Sequence, residues 1–173
     1  MSSYKQHLSS IRTFVFDVDG VMTAGTVLIT PEGEMLRSMN VKDGYALQLA
    51  ARKGYRIVII SGGKCTGVHQ RFVSLGVEEI HLGIGNKLEL FEQFIAENGI
   101  DPQHILYMGD DIPDYKPMEL VGLAACPADA VEEIKSIAKY ISPCKGGEGC
   151  VRDVIEQVMK VQGTWFQDDG FHW

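Results

Sequence analysis

No apolar run in this sequence reaches the roughly 18–20 residues that a membrane-spanning helix needs. Its first residues, Met1-Ser2-Ser3-Tyr4-Lys5-Gln6-His7, lack the apolar centre of a secretory signal. Both absences lead us to expect a cytoplasmic protein with no membrane partner. Basic residues are scarce as well: 16 Lys and Arg stand against 23 Asp and Glu, a formal net charge of −7. Binding along a nucleic-acid backbone needs a basic stripe, so nucleic acid is not expected as a partner. A small anionic substrate remains open, because a bound divalent metal and a few placed cations reverse the field locally. Cysteine is sparse too. Cys65, Cys126, Cys144 and Cys150 form no C-x-x-C pair, and no histidine pair follows at zinc-site spacing, so they read as reduced thiols. Internal repeats and low-complexity stretches are missing.

What is present is enough for one ordinary domain. The chain has 173 residues, 45% of them hydrophobic, and supports a single core. We read residues 1–173 as one domain, with a core over about 11–161 and an aromatic tail over 163–173 that has no clear period. Short apolar runs rich in β-branched or aromatic side chains mark buried strands at 13–16, 56–60, 79–82 and 104–108, with a weaker fifth at 122–126. Helical patterns over 45–53, 66–75, 87–98, 130–138 and 151–161 lie between and after them. That alternation predicts right-handed βαβ units and a Rossmann-like, doubly wound parallel sheet in an α/β domain. One stretch departs from it. Residues 26–30 and 35–39 flank a Pro31-Glu32-Gly33-Glu34 turn, which predicts a β-hairpin inserted after the first strand. The other connections are too short to hold a cap domain.

Ligands bind beyond the carboxyl ends of the strands in such a sheet. The sequence delivers polar groups to that edge after every core strand: Asp17-Val18-Asp19-Gly20, then Ser61-Gly62-Gly63-Lys64, then Lys87, then Gly109-Asp110-Asp111-Ile112-Pro113-Asp114. Asp17, Asp19 and Asp110 would repel one another, and a divalent cation resolves the conflict. Oxygen ligands with room for water and phosphate suit Mg²⁺. A carboxylate can attack phosphorus. A second carboxylate two residues on, on the same side of an extended chain, can serve as general acid and base. Ser61 and Lys87 can bind phosphate oxygens. Each piece alone has a plainer reading. D-x-D-G makes ordinary turns, Asp110-Asp111 can cap a helix, and a lone lysine is usually solvated. The ordered set is much harder to obtain by accident.

The set Phe16-Asp17-Val18-Asp19-Gly20-Val21, Ile60-Ser61-Gly62, Lys87 and Gly109-Asp110-Asp111-x-x-Asp114 resembles the four motifs of the haloacid dehalogenase superfamily of phosphohydrolases. The resemblance implies a nucleophile at Asp17 and a general acid/base at Asp19. It implies Mg²⁺ held by Asp17, the Asp19 carbonyl and Asp110, and a phosphoryl group bound by Ser61 and Lys87. Asp111 and Asp114 would support the metal site or Lys87. The hairpin, the segment Asn40-Val41-Lys42-Asp43-Gly44-Tyr45, the missing cap and Gly146-Gly147-Glu148-Gly149-x-Val151-Arg152 are similar to the 3-deoxy-D-manno-octulosonate (KDO) 8-phosphate phosphatases. These capless enzymes serve lipopolysaccharide precursor synthesis. The likeness implies a homo-oligomer, a tetramer built through the hairpins, whose neighbouring subunit covers the site. It makes Asp19, Asn40, Val41, Lys42, Asp43, Gly44, Gly62, Lys64, Arg71, Lys87 and Arg152 candidate substrate contacts. For Arg71 the alternative is an exposed charge on a helix, and for Arg152 a loop-closing hydrogen bond or a contact in the neighbouring site. Many members carry arginine right after the Ser/Thr-Gly pair, where this chain has Gly63 and then Lys64. Lys64 brings charge without a guanidinium's bidentate geometry. The eight-carbon substrate and a nine-carbon keto-deoxy sugar acid phosphate therefore both stay open. Two other classes share part of this pattern. A receiver-like phosphoacceptor switch shares the acidic site, but Asp19 beside the nucleophile would hasten loss of its phosphoryl group. A catalytically dead oligomerisation partner would need no Asp19.

Overall fold

The computed structural model describes residues 4–167 and residue 170. Asp168, Asp169 and residues 171–173, part of the expected aromatic tail, lie outside the described residues. The elements run α1 (Lys5–Leu8), β1 (Thr13–Phe16), β2 (Leu28–Ile29), β3 (Met35–Leu36), α2 (Val41–Arg52), β4 (Arg56–Ser61), α3 (Thr66–Ser74), β5 (Glu79–Leu82) and α4 (Lys87–Asn98). They continue with β6 (Ile105–Met108), α5 (Tyr115–Leu120), β7 (Leu123–Cys126), α6 (Glu132–Ile137), β8 (Tyr140–Ile141) and α7 (Cys150–Val161).

Six strands form one sheet in the order β5-β4-β1-β6-β7-β8, and every pairing in it is parallel. β1 is central because it is flanked on both sides: Phe16 pairs with Ile59 of β4 and with Met108 of β6. All four β1 residues are buried, as expected for a strand covered on both faces. Alternation along it feeds two cores. Phe14 and Phe16 pack with Leu47 and Leu49 of α2, Phe72 of α3 and Val151, Ile155 and Val158 of α7. Val15 packs on the opposite face with Phe91 and Phe94 of α4, Met118 of α5 and Ile134 of α6. The chain leaves β1 towards β4 and β5, then returns to β6 on its other side. The strand order therefore reverses at β1, which opens a crevice at its carboxyl end.

The expected doubly wound sheet, the five strands and the inserted hairpin are all present, with four refinements. The first helix of the sheet begins at Val41 rather than at 45, because the Asn40 side chain caps it by accepting from Lys42 N at 2.8 Å. The helix expected over 130–138 is shorter, Glu132–Ile137. A sixth strand, β8, pairs with β7 at Tyr140 and Ile141. Helix α5 carries Pro117 in its first turn, where no intrahelical donor is lost. The hairpin β2–β3 forms its own two-stranded sheet, and all four of its paired side chains are exposed.

Helix α7 supplies much of the first core, so its central apolar contact should matter. Truncating fully buried Ile155 in Ile155→Ala is expected to cost about 2–5 kcal/mol, measured as a lower urea midpoint with an unchanged slope.

Candidate active site

At the carboxyl end of β1 the chain turns through Asp17-Val18-Asp19-Gly20. Gly20 holds φ +94°, and a Cβ there would fall 2.0 Å from Asp110 Oδ2. Only glycine lets the turn after β1 close against the loop after β6. The Asp17 amide donates to Met108 O at 3.1 Å, which fixes the two strand ends side by side. On the far side of the turn, Gly147 N donates to Val21 O at 2.9 Å and Asn40 Nδ2 donates to Gly147 O at 3.2 Å. The glycine-rich loop before α7 thus braces the turn that carries Asp17.

Asp17 and Lys87 are both buried, and Lys87 Nζ lies 2.8 Å from Asp17 Oδ1. The same ammonium lies 2.7 Å from Asp114 Oδ1, which also accepts from the Tyr107 hydroxyl at 2.9 Å. Lys87 opens α4, whose N-cap Asn86 accepts from Glu89 N, so the lysine stem is rooted in a fixed first turn. Asp17, Asp110 and Asp114 each place a carboxylate oxygen within 4.8 Å of the others. Asp110 Oδ1 and Asp114 Oδ2 are buried with no hydrogen-bond partner among the described residues.

These charges are mismatched. Three carboxylates face one ammonium. Burial first, then the nearby Asp114 charge, pushes Asp17 up to about 6, although Lys87 pulls it down. Burial, then Asp17 and Asp114, pushes Asp110 up to about 8. Lys87 runs the other way. Burial alone would discharge it, but Asp114 and Asp17 outweigh that and raise its pKa, so it stays a cation. Partnerless buried carboxylate oxygens, all hard donors, around a two-charge deficit fit a small divalent cation such as Mg²⁺.

The second aspartate has a different partner. Asp19 is held by Arg37, whose Nε lies 2.7 Å from Oδ1 and whose Nη2 lies 2.9 Å from Oδ2. Arg37 follows β3, so the hairpin reaches back onto the site. The only side-chain metal cluster among the described residues uses Asp17, Asp110 and Asp114; the carboxylate of Asp19 is not in it. Ser61 ends β4 with its side chain buried, and its Oγ accepts from Gly63 N at 3.2 Å.

Residues 79–154 match the haloacid dehalogenase-like hydrolase family. The 3-deoxy-D-manno-octulosonate 8-phosphate phosphatase KdsC of Escherichia coli K12 is 36% identical over 154 residues, which is 89% of this chain and 82% of that protein. The chain belongs to the family of 3-deoxy-D-manno-octulosonate 8-phosphate phosphatases. Two solved members show the same architecture. The Moraxella catarrhalis phosphatase, in complex with magnesium, phosphate and KDO, superposes with a TM-score of 0.91 at 31% identity, over 99% of this chain and 97% of that one. The Yersinia pestis phosphatase gives a TM-score of 0.90 at 31% identity, over 94% and 88%.

Among the remaining candidates of this KDO 8-phosphate phosphatase family member, the structure separates those near the crevice from those engaged elsewhere. Gly62 and Lys64 line a cleft beside the hairpin. Arg71 reaches the start of α2, where a Cβ on Gly44 would lie 2.5 Å from its Nη2. Val41 and Lys42 are exposed on the first turn of α2. Asp43, expected among the substrate contacts, is buried and accepts from Arg152 N at 2.8 Å, at the start of α7. A carboxylate so placed satisfies an orphan donor of that helix. Arg152 pairs with Glu156 at 3.2 Å and lies over the rings of Tyr45 and Trp165, so within its own chain it packs α7 onto α2. Asp111 caps the turn after β6 by accepting from Ile112 N. Asp114, read as support for the metal site or Lys87, does contact Lys87.

Sequence reasoning missed Tyr107 and Arg37. Tyr107 is hidden in an apolar strand. Arg37 left a usable signal: it is the one arginine between Arg12 and Arg52, at the exit of a hairpin inserted beside the first strand.

The raised carboxyls set the pH behaviour of metal binding. Without metal, folded Asp110 and Asp17 keep protons at pH values where the unfolded chain, near the ordinary value of 3.8, has lost them. The folded state then binds more protons, and these two groups make metal-free stability fall as pH rises from about 4 to 8. Mg²⁺ must displace those protons, so its binding strengthens with pH. We expect the rise in Tm on replacing EDTA by Mg²⁺ to be larger at pH 8 than at pH 6. An equal rise at both would contradict this carboxylate site.

Proposed function

We propose that this protein is a magnesium-dependent phosphatase that hydrolyses 3-deoxy-D-manno-octulosonate 8-phosphate to KDO and phosphate, a step in lipopolysaccharide precursor synthesis. The observation that carries the proposal is the buried Lys87 bridging Asp17 and Asp114 at the strand-order reversal, beside Asp110. Family membership over nearly the whole chain supports it.

The residues suggest the following division of work. Asp17 attacks phosphorus through a carboxylate oxygen, the bond to the sugar oxygen breaks, and an aspartyl phosphate remains on Asp17. Asp19 delivers a proton to the departing sugar oxygen, then takes one from the water that hydrolyses the intermediate. Lys87 and Ser61 hold the transferring phosphoryl oxygens. Asp17, the Asp19 carbonyl and Asp110 are the proposed Mg²⁺ ligands. When bound, Mg²⁺ offsets the carboxylate charge and that of the phosphoryl group. Asp114 and Tyr107 keep the Lys87 ammonium in place.

The same reading proposes a homo-oligomer, with a tetramer joined through the hairpins. Leu28 and Ile29 are 68% and 63% exposed, and Met35 and Leu36 are 53% and 47% exposed. A two-stranded hairpin is marginal by itself, and an apolar one calls for cover. A neighbouring chain lying there would also shield the open site from water. We place the work in the cytoplasm, since a multiply charged sugar phosphate does not diffuse through a bilayer. No helix among the described residues is long and apolar enough to cross a membrane.

Two experiments test this. Phosphate release with Mg²⁺ is expected to be fastest on the eight-carbon substrate, slower on nine-carbon keto-deoxy sugar acid phosphates and slowest on sugar and nucleoside monophosphates. Asp17→Asn should abolish it, and Asp19→Asn should lower kcat by about 10²–10⁴-fold. Equal rates on all substrates would leave only a general phosphatase. For the assembly, Ile29→Lys should shift the mass seen by light scattering to a smaller species; an unchanged mass would remove the hairpin interface.

A further inference from the structure

Gly63 has no side chain, and its missing group points at a place already filled. A Cβ built there would lie 3.1 Å from Asp19 Oδ2 and 3.2 Å from Arg37 Nη2. The guanidinium of Arg37 therefore stands over Gly63, between the hairpin and the β4–α3 loop. It is well anchored: the side chain is only 7% exposed, and Nη1 donates to Met35 O at 3.0 Å. A cleft of about 690 Å³ opens on this spot, bordered by Arg37, Gly62, Gly63, Lys64 and Thr66. A side chain at position 63 would press on Asp19 and Arg37, which would have to give by a few tenths of an ångström, so the bare backbone leaves Arg37 its place.

The pairing also has a consequence for Asp19. Both of its carboxylate oxygens are engaged by the fork of one guanidinium, a strong two-point contact. A carboxyl that must face the oxygen leaving phosphorus needs one of its own oxygens turned to that atom. Held in that fork, Asp19 is not free to swing its carboxyl towards the departing oxygen. A second anion entering the cleft would compete for the same guanidinium and release Asp19.

We infer that Arg37 is a specificity residue that restrains Asp19 in the free enzyme and exchanges it for the carboxylate of the substrate. The leaving sugar acid lies in the cleft between the hairpin and the β4–α3 loop, with its carboxylate on Arg37. A phosphate ester without a carboxylate leaves the Arg37–Asp19 pair closed and reacts slowly. Discrimination between the two then resides in one side chain, and in one delivered by the hairpin. This inference rests on the proposed sugar acid phosphate substrate.

The test compares kcat/KM on an eight-carbon keto-deoxy sugar acid phosphate with that on a hexose 6-phosphate, for the wild type, Arg37→Ala and Arg37→Lys, all in the full chain with Mg²⁺. Loss of a charge-assisted two-point contact should lower the preference for the acid by about 10–100-fold in Arg37→Ala. Most of that change should come from KM for the acid. Arg37→Lys, which keeps the charge but not the fork, should fall between. If both substrates slow by the same factor and the preference is retained, Arg37 merely orders Asp19 and the inference is overturned. If the wild type shows no preference for the acid, the proposed substrate fails and the inference falls with it. Near-wild-type melting of Arg37→Lys keeps these outcomes readable should Arg37→Ala fold poorly.

Discussion

The ammonium of Lys87, 2.8 Å from Asp17 and 2.7 Å from Asp114, is the contact on which the chemistry of this site rests. A buried lysine without partners would lose its charge, and buried carboxylates without a cation would take up protons. Here the carboxylates keep Lys87 a cation, Lys87 in turn pulls Asp17 down from where burial alone would put it, and a hydroxyl from the sheet interior, Tyr107, bonds the third partner. The arrangement still leaves more negative than positive charge. That excess is the physical reason for a metal at this place, and it explains why Asp110 is shifted further than Asp17, which has the lysine directly beside it.

The surrounding fold serves that contact by bringing strand ends together. β1, β4 and β6 lie side by side in register, so Asp17, Ser61 and the loop of Asp110 leave the sheet at one level. Gly20 lets two of these loops touch. The helices do less chemistry and more bracing. Asn40 and Asp43, at the start of α2, hold the glycine-rich loop and the first turn of α7, and that loop supports the turn after β1. Residues that look like substrate contacts in a linear motif can thus act by fixing a neighbouring loop.

The hairpin adds a second layer of control. Its two strands are short, apolar and unburied, yet the Arg37 side chain at their exit is only 7% exposed. Order in the hairpin and the orientation of Asp19 are mechanically linked by one salt bridge. In the proposed assembly a neighbouring chain lying on the hairpin would, through that link, also bear on Asp19, the proposed acid/base group.

Much of this was legible in the sequence because the signals are local. Short buried strands, helical apolar faces and polar residues at strand ends were sufficient for the parallel sheet and for Asp17, Ser61, Lys87 and Asp110 at one edge. The start of α2 was hidden by Val41 and by Gly44, poor helix formers that the Asn40 cap overrides. β8 has only two residues and is a strand solely because β7 offers an edge. The pairing of Arg37 with Asp19, the burial of Asp43 under α7 and the turn of Arg152 towards Tyr45 and Trp165 were decided by the tertiary structure alone. Each joins residues from separate elements, and which long side chain meets which partner depends on how the elements pack, which periodicity and spacing do not encode.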